Sequence, residues 1–269
     1  WNVFRFALPY MELDGYDPAD ASPSDGDRTT VDRWVLSRLQ GVEAEAAAAW
    51  EEYAVHDALE AVLSFLVEDV SRFYVKAIRS RMWEEADSAS KRGAYATLAT
   101  VLDECVRMLA PYTPYLAERM YQRLDGSATT VHALAWPEPD DALRDEALEA
   151  NVAVLRDVEE AAANARQQGG RKLRWPVPRV VVESGEPDVR EAVESLSELL
   201  SERVNAREVR VVERFEELVE RAEPRMSEIG PAFGAEAQDV MRAVEGATRE
   251  ELDADGRLSA TVDDDEYAL

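Results

Sequence analysis

Thr30-Val31-Asp32-Arg33-Trp34-Val35-Leu36-Ser37-Arg38-Leu39 spaces Val31, Trp34, Val35, Arg38 and Leu39 three and four residues apart, which marks one face of an α-helix. The spacing continues through the alanine-rich stretch Glu43 to Trp50, and Thr29 or Thr30 can cap the start. A second helix is predicted from Val55 to Trp83, with Leu59, Leu63, Leu66, Val70, Phe73, Ala77 and Ile78 on its buried side. A third should run from Ser90 to Leu109, buried through Leu98, Val101, Leu102, Cys105 and Leu109. Pro111 lacks the amide hydrogen a helix interior needs, so a fourth helix restarts near Pro114 and reaches Leu124. Four antiparallel helices make a bundle.

Upstream, Trp1 to Met11 is also helical in pattern, and the chain opens there without a methionine, so a piece of a longer protein is expected. Downstream, after a loop with Trp136, Pro137 and Pro139, a fifth helical stretch runs from Asp141 to Gln168 and stops at Gly169-Gly170. Beyond Pro178 the period changes. Arg179 to Glu183 is a β-branched run, Asp188 to Arg203 is amphipathic helix, and Arg207 to Glu213 alternates as a half-buried strand does. Met226 to Ile229, a helix from Ala235 to Val244, and Arg257 to Val262 complete a small α/β unit. The fold class read from this order is mainly α: a helical bundle over residues 1–175 and a small α/β domain over 176–269.

The chain of 269 residues carries 56 acids against 30 basic residues, a net charge of -26. Only Lys76, Lys91 and Lys172 are lysines and the other basic residues are arginine, a balance that resembles adaptation to molar salt in halophilic archaea. At such salt the Debye length falls to about 3 Å and a large net charge repels itself far less. The acidity is therefore read as habitat. A single cysteine, Cys105, excludes an internal disulfide and a multi-cysteine zinc site, and His56 and His132 are read as structural. No apolar run approaches the length of a bilayer span and no signal peptide is evident, so a cytoplasmic, membrane-free, monomeric protein is expected.

No nucleophile elbow, phosphate loop or metal-ligand spacing occurs, so no catalytic residue and no metal or cofactor is assigned to the chain. What stands out is where acids are missing. None lies between Asp69 and Glu84, a window holding Arg72, Lys76, Arg79 and Arg81 with Phe73, Tyr74 and Trp83. None lies between Glu160 and Glu183, which holds Arg166, Arg171, Lys172, Arg174 and Arg179 beside Trp175. Basic residues interleaved with aromatics suit an RNA loop, because cations neutralise phosphates while an aromatic plane receives an unstacked base. The competing reading is that the arginines pair with acids on neighbouring helices and that the aromatics are core.

Five motifs are familiar: Trp1-Asn2-Val3-Phe4-Arg5-Phe6, Asp32-Arg33-Trp34-Val35-Leu36-Ser37-Arg38-Leu39, Ser71-Arg72-Phe73-Tyr74-Val75-Lys76, Arg79-Ser80-Arg81-Met82-Trp83 and Leu109-Ala110-Pro111-Tyr112-Thr113-Pro114-Tyr115-Leu116-Ala117-Glu118. Together they resemble the anticodon-binding helical domain of class I aminoacyl-tRNA synthetases of the Ile/Val/Leu/Met group. Val131-His132-Ala133-Leu134-Ala135-Trp136-Pro137 and Arg171-Lys172-Leu173-Arg174-Trp175-Pro176-Val177, followed by an α/β tail, resemble the isoleucyl branch of archaeal and eukaryotic type.

The resemblance implies a fragment that holds the anticodon stem-loop of tRNA for isoleucine. Its tRNA-binding residues would be Arg72, Lys76, Arg79 and Arg81 on stem phosphates, and Arg166, Arg171, Lys172, Arg174 and Trp175 beside the anticodon. It also implies a parent enzyme that uses ATP and Mg to join isoleucine to tRNA, and a catalytic body of that parent as a partner. Neither the His-Ile-Gly-His nor the Lys-Met-Ser-Lys-Ser signature occurs here, so the fragment alone should be inactive. In Glu223 to Gly234, Glu223 and Ala232 stand where the family usually carries basic residues, so RNA contact is not expected of that segment. The same region of a valyl or leucyl enzyme, and a protein-interaction module without RNA, remain as alternatives.

Overall fold

The computed structural model describes residues 1–20, 26–215, 224, 226–245, 259–262 and 265–268. By contact these fall into two compact units, Trp1–Val180 with Pro187–Arg210, and Val181–Glu186 with Val211–Leu269.

The first unit is helical. α1 (Asn2–Leu13) buries Phe4, Ala7 and Met11, one face at helical spacing. α2 (Thr30–Glu51) starts where the amide and hydroxyl of Thr29 both donate to Asp32 Oδ2, at 2.7 and 2.8 Å, and it buries Val31, Trp34, Val35, Leu39, Val42 and Ala46. α3 (Val55–Ser64) runs through ten π-helical residues, Phe65–Tyr74, into α4 (Val75–Met82).

That π-helical segment corrects the expected buried face. Of that face Val70, Phe73 and Ile78 are buried, Leu59, Leu66 and Ala77 are half-buried and Leu63 is exposed, while Ala58, Val62, Phe65, Asp69, Tyr74 and Val75 are buried beside them. Each π turn closes on the fifth residue, so no single α-period fits the whole stretch.

α5 (Ala89–Leu109) is the central helix and buries Ala94, Tyr95, Leu98, Val101, Leu102 and Cys105. Its start lies against the backbone of 26–27 so closely that a Cβ on Gly93 would stand 2.3 Å from the Asp27 carbonyl oxygen. α6 (Pro114–Leu124) restarts with its proline in the first turn, as the position of Pro111 and Pro114 requires.

α7 (Glu146–Gln168) begins later than the pattern suggested, because Asp140 caps a short 3-10 turn and Asp145 then caps the helix by accepting from the Leu148 amide at 2.9 Å. α2 holds this end: Ser37 Oγ accepts from the Asp145 amide at 2.7 Å and donates to Glu149, and Arg38 bridges Glu149 and Asp69 at 3.1 and 3.2 Å.

β1 (Val180–Glu183) and β2 (Val209–Val212) form a two-stranded sheet, and the adjoining bridge Val177 to Ala206 is parallel. Between them the predicted single helix is two, α8 (Pro187–Ser195) and α9 (Ser197–Arg203), because Leu196 leaves the helical conformation at φ -112° and ψ 17°. The sequence reading places the domain boundary after Trp175, whereas contact groups α8 and α9 with the helices, since Ala192, Val193 and Leu200 are buried and both helices contact α7.

In the second unit, α10 (Met226–Phe233) is helical where no helix was read, and α11 (Ala237–Val244) buries Ala237, Val240 and Val244. β3 (Ser259–Val262) and β4 (Asp265–Ala268) pair antiparallel, with Ser259 opposite Ala268 and Val262 opposite Asp265. Glu223, Arg225, Arg257 and Leu258, which fall in the stretches Glu223 to Gly234 and Arg257 to Val262 read from the sequence, lie outside the described residues. No described helix is long and apolar enough to cross a membrane.

Candidate nucleic-acid interface

The first acid-free window lies on the π-helical segment and α4, and its cations divide by partner. Arg72 is exposed and donates to both carboxylate oxygens of Glu68, one turn back, at 2.6 and 2.8 Å. Lys76 reaches across to α7 and meets Glu159 at 3.0 Å. Arg79 is exposed, has no carboxylate within ion-pair distance among the described residues, and rests between the rings of Phe6 and Trp83, 5.9 and 5.8 Å away. The Trp83 indole donates to the Tyr10 hydroxyl at 2.7 Å, which fixes the ring that Arg79 leans on.

Arg81 is not at the surface. Its side chain is 12% exposed and grips the fully buried Asp32 at 2.9 Å, along with the Thr29 hydroxyl at 3.1 Å and the Ser90 carbonyl. Tyr74 donates to Asp32 Oδ1 at 2.6 Å, and its hydroxyl is pushed well above the ordinary tyrosine range, first by burial and then by the Asp32 charge. Arg81 thus compensates a core carboxylate, and its guanidinium is engaged within the fold. For this residue, and for the buried Phe73 and Tyr74, the reading of arginines paired with acids and aromatics in the core is the correct one.

The second window is built differently. At the end of α7, Gly170 takes φ +64°. Its amide bonds the Gln167 carbonyl at 3.1 Å, and the Arg171 amide bonds the Arg166 carbonyl at 2.8 Å. These two bonds are the Schellman pattern that ends a helix at a left-handed residue. The chain then turns through Arg171 to Val177, and Arg171, Lys172, Leu173, Arg174, Trp175 and Pro176 are all exposed. None of Arg171, Lys172 and Arg174 has a carboxylate within ion-pair distance among the described residues, and Trp175 is 60% exposed. Arg179, just beyond, is taken by Glu208 at 3.0 Å.

Arg166 lies beneath this loop, not on it. It is 7% exposed and donates to the carbonyls of Lys172, Leu173 and Val204 at 2.9, 3.2 and 3.3 Å, and to that of Trp175. Asn205, at φ +51°, donates from its side-chain amide to the Leu173 carbonyl at 2.9 Å and accepts the Val177 amide at 3.1 Å.

Sequence reasoning missed Asn205, and it missed the pair Arg156 and Arg203. These two guanidinium groups cover the Phe73 ring at 4.4 and 4.1 Å and are held by Asp69 and Glu159, at 2.8 and 2.7 Å. Only the period of α7 could have hinted at Arg156, since it shares a face with Glu149 and Val152. Of the nine residues read as RNA ligands, the loop gathers Arg171, Lys172, Arg174 and Trp175, and α4 presents Arg79. Arg72 and Lys76 are exposed but paired, and Arg81 and Arg166 are internal.

A cluster of His56, Asp57 and Glu60 on α3 brings ligand atoms within 4.8 Å of one another, but all three are exposed and no fourth ligand joins them among the described residues. The Arg171–Val177 loop, whose cations meet no carboxylate among the described residues and whose indole is exposed, can neutralise phosphates and stack on a base.

A family model described as the anticodon-binding domain of tRNA ligase matches residues 32–182. The chain is 64% identical over 252 residues to the isoleucine–tRNA ligase of Haloquadratum walsbyi, covering 94% of this chain and 24% of that protein. It is 50% identical over 270 residues to that of Halobacterium salinarum, covering 95% and 25%, and 51% identical over 249 residues to that of Natronomonas pharaonis, covering 91% and 24%. The chain therefore spans about a quarter of the length of these relatives.

Proposed function

The chain belongs to the anticodon-binding domain family of tRNA ligases, and on that premise we propose that it holds the anticodon stem-loop of tRNA for isoleucine. The observation that carries this is the loop Arg171 to Val177, whose cations have no carboxylate within ion-pair distance among the described residues and whose indole is exposed, in a chain of net charge -26. Arg171, Lys172 and Arg174 neutralise anticodon phosphates, and Trp175 stacks on a base that has left the helical stem. Arg79, backed by Phe6 and Trp83, meets a stem phosphate, and Arg72 and Lys76 join it by exchanging Glu68 and Glu159 for RNA.

The longer protein is an isoleucine-tRNA ligase that works in the cytoplasm as a monomer and uses ATP with Mg to attach isoleucine. No step of that chemistry is assigned to residues of this chain. The catalytic body of the longer protein is the second partner. Halophilic relatives support a complex that forms at high salt, where counterion release is weak and stacking contributes more.

The test is a titration of the chain, in roughly molar KCl, a regime of short Debye length, with the anticodon stem-loops of tRNA for isoleucine, valine and methionine. Preferential binding of the isoleucine loop is expected. Equal affinity for all three, or none for any, overturns the assignment.

A further inference from the structure

Arg166 is a buried guanidinium with no carboxylate within ion-pair distance among the described residues; its partners are the carbonyls of Lys172, Leu173, Trp175 and Val204. A buried charge without a counter-charge persists only where several dipoles converge on it. Three of the four carbonyls belong to the loop proposed to read RNA, so its conformation and this charge depend on one another. We propose that Arg166, seconded by Asn205, is a positioning residue that pre-forms the Arg171–Val177 loop for single-stranded RNA, an inference that rests on the reading of the loop as the anticodon contact.

Three features support it. The backbone of Arg166 fixes the entry to the loop, since its carbonyl accepts the Arg171 amide at 2.8 Å, while its side chain fixes the carbonyls further along. Asn205 fixes the far end, holding Leu173 by its amide and Val177 by its carbonyl from a left-handed conformation. Lastly, the side chains from Arg171 to Pro176 are all exposed, so the loop has no apolar core of its own and takes its shape from these backbone bonds. A loop already in its bound shape loses less conformational freedom on binding. The Arg166 charge, met by carbonyl dipoles and by no anion among the described residues, also adds to the positive potential of Arg171, Lys172 and Arg174.

The experiment uses the whole chain, the isoleucine anticodon stem-loop and a non-cognate stem-loop, with the variants R166M, R166K, N205G and W175A. R166M should weaken cognate binding by about tenfold or more, and R166K should recover little, because an ammonium cannot reach several converging carbonyls as a planar fork does. N205G can keep the left-handed backbone while it removes the side-chain donor to Leu173, so it should weaken binding in the same direction by less. The deciding readout is the double variant R166M/W175A: if Arg166 acts through the loop, its effect shrinks once Trp175 is gone.

Losses that simply add in the double variant, or full recovery in R166K, overturn the positioning role. So do wild-type affinities for both R166M and N205G when W175A is impaired, although that result leaves the anticodon reading intact. Should R166M lose helical circular dichroism, N205G and its double variant with W175A decide by the same criterion. A wild-type chain that binds neither stem-loop overturns the reading itself, and the inference falls with it.

Discussion

Lys76 Nζ lies 3.0 Å from Glu159 Oε1, and the same carboxylate is held by Arg203 at 2.7 Å. Glu159 therefore neutralises one cation of the proposed RNA surface while Arg203, stacked on Phe73, keeps it in place. An RNA phosphate that reaches Lys76 has to compete with this acid. Glu159→Gln should raise affinity for every stem-loop by roughly two- to tenfold at low salt, with little change at molar salt, because the released charge is then screened. A filter-binding series against salt concentration checks this; unchanged affinity at low salt would place Lys76 outside the RNA footprint.

Trp175 and Arg79 should separate specificity from affinity. Trp175→Ala removes a stacking plane worth about 1–3 kcal/mol per base and should reduce discrimination between the isoleucine stem-loop and its competitors. Arg79→Ala removes a phosphate contact and should weaken all of them about equally. Parallel titrations of both variants against cognate and non-cognate RNA decide it, and identical effects on both RNAs would count against the division of labour.

Arg81 belongs to the fold. Arg81→Met leaves Asp32 fully buried with Tyr74 and Thr29 as its remaining side-chain donors, and such an orphaned carboxylate costs about 3–5 kcal/mol. Chemical denaturation of the variant should show a stability loss of that order. A fold as stable as the wild type, with RNA binding lost, would return Arg81 to the interface.

Glu43 sets a pH dependence. Burial, then its hydrogen bond and charge repulsion with Glu104, hold its carboxyl well above the ordinary value of 4.5, with Arg107 opposing. The folded chain therefore keeps a proton that the unfolded chain has released, so the contribution is favourable below about 4.5 and is lost as pH rises. Between about pH 5 and 8 the wild type should lose stability relative to Glu43→Gln, with a slope of up to about 1.4 kcal/mol per pH unit. Paired denaturation curves across that range check it, and a constant difference would mean that Glu43 is already ionised in the fold.

Local signals in the sequence determined much of this molecule: the capping threonine and period of α2, the break at Pro111, the end of α7 at Gly169-Gly170, and the two windows without acids. Each depends on neighbours a few residues apart, which a linear pattern records. Even the pairing of Arg72 with Glu68 is a spacing of one helical turn. Only the tertiary structure decided which cations are free. Arg81 finds Asp32 from 49 residues away and Lys76 finds Glu159 from 83, while Arg166 turns inward to the carbonyl of Val204. An absence of acids along the chain says nothing about acids across it, because ion pairing follows distance in space. The shifted buried face from Ala58 to Ile78 has a similar origin: the π-helical segment is closed by backbone hydrogen bonds within the packed bundle, and no α-period in the side chains announces it.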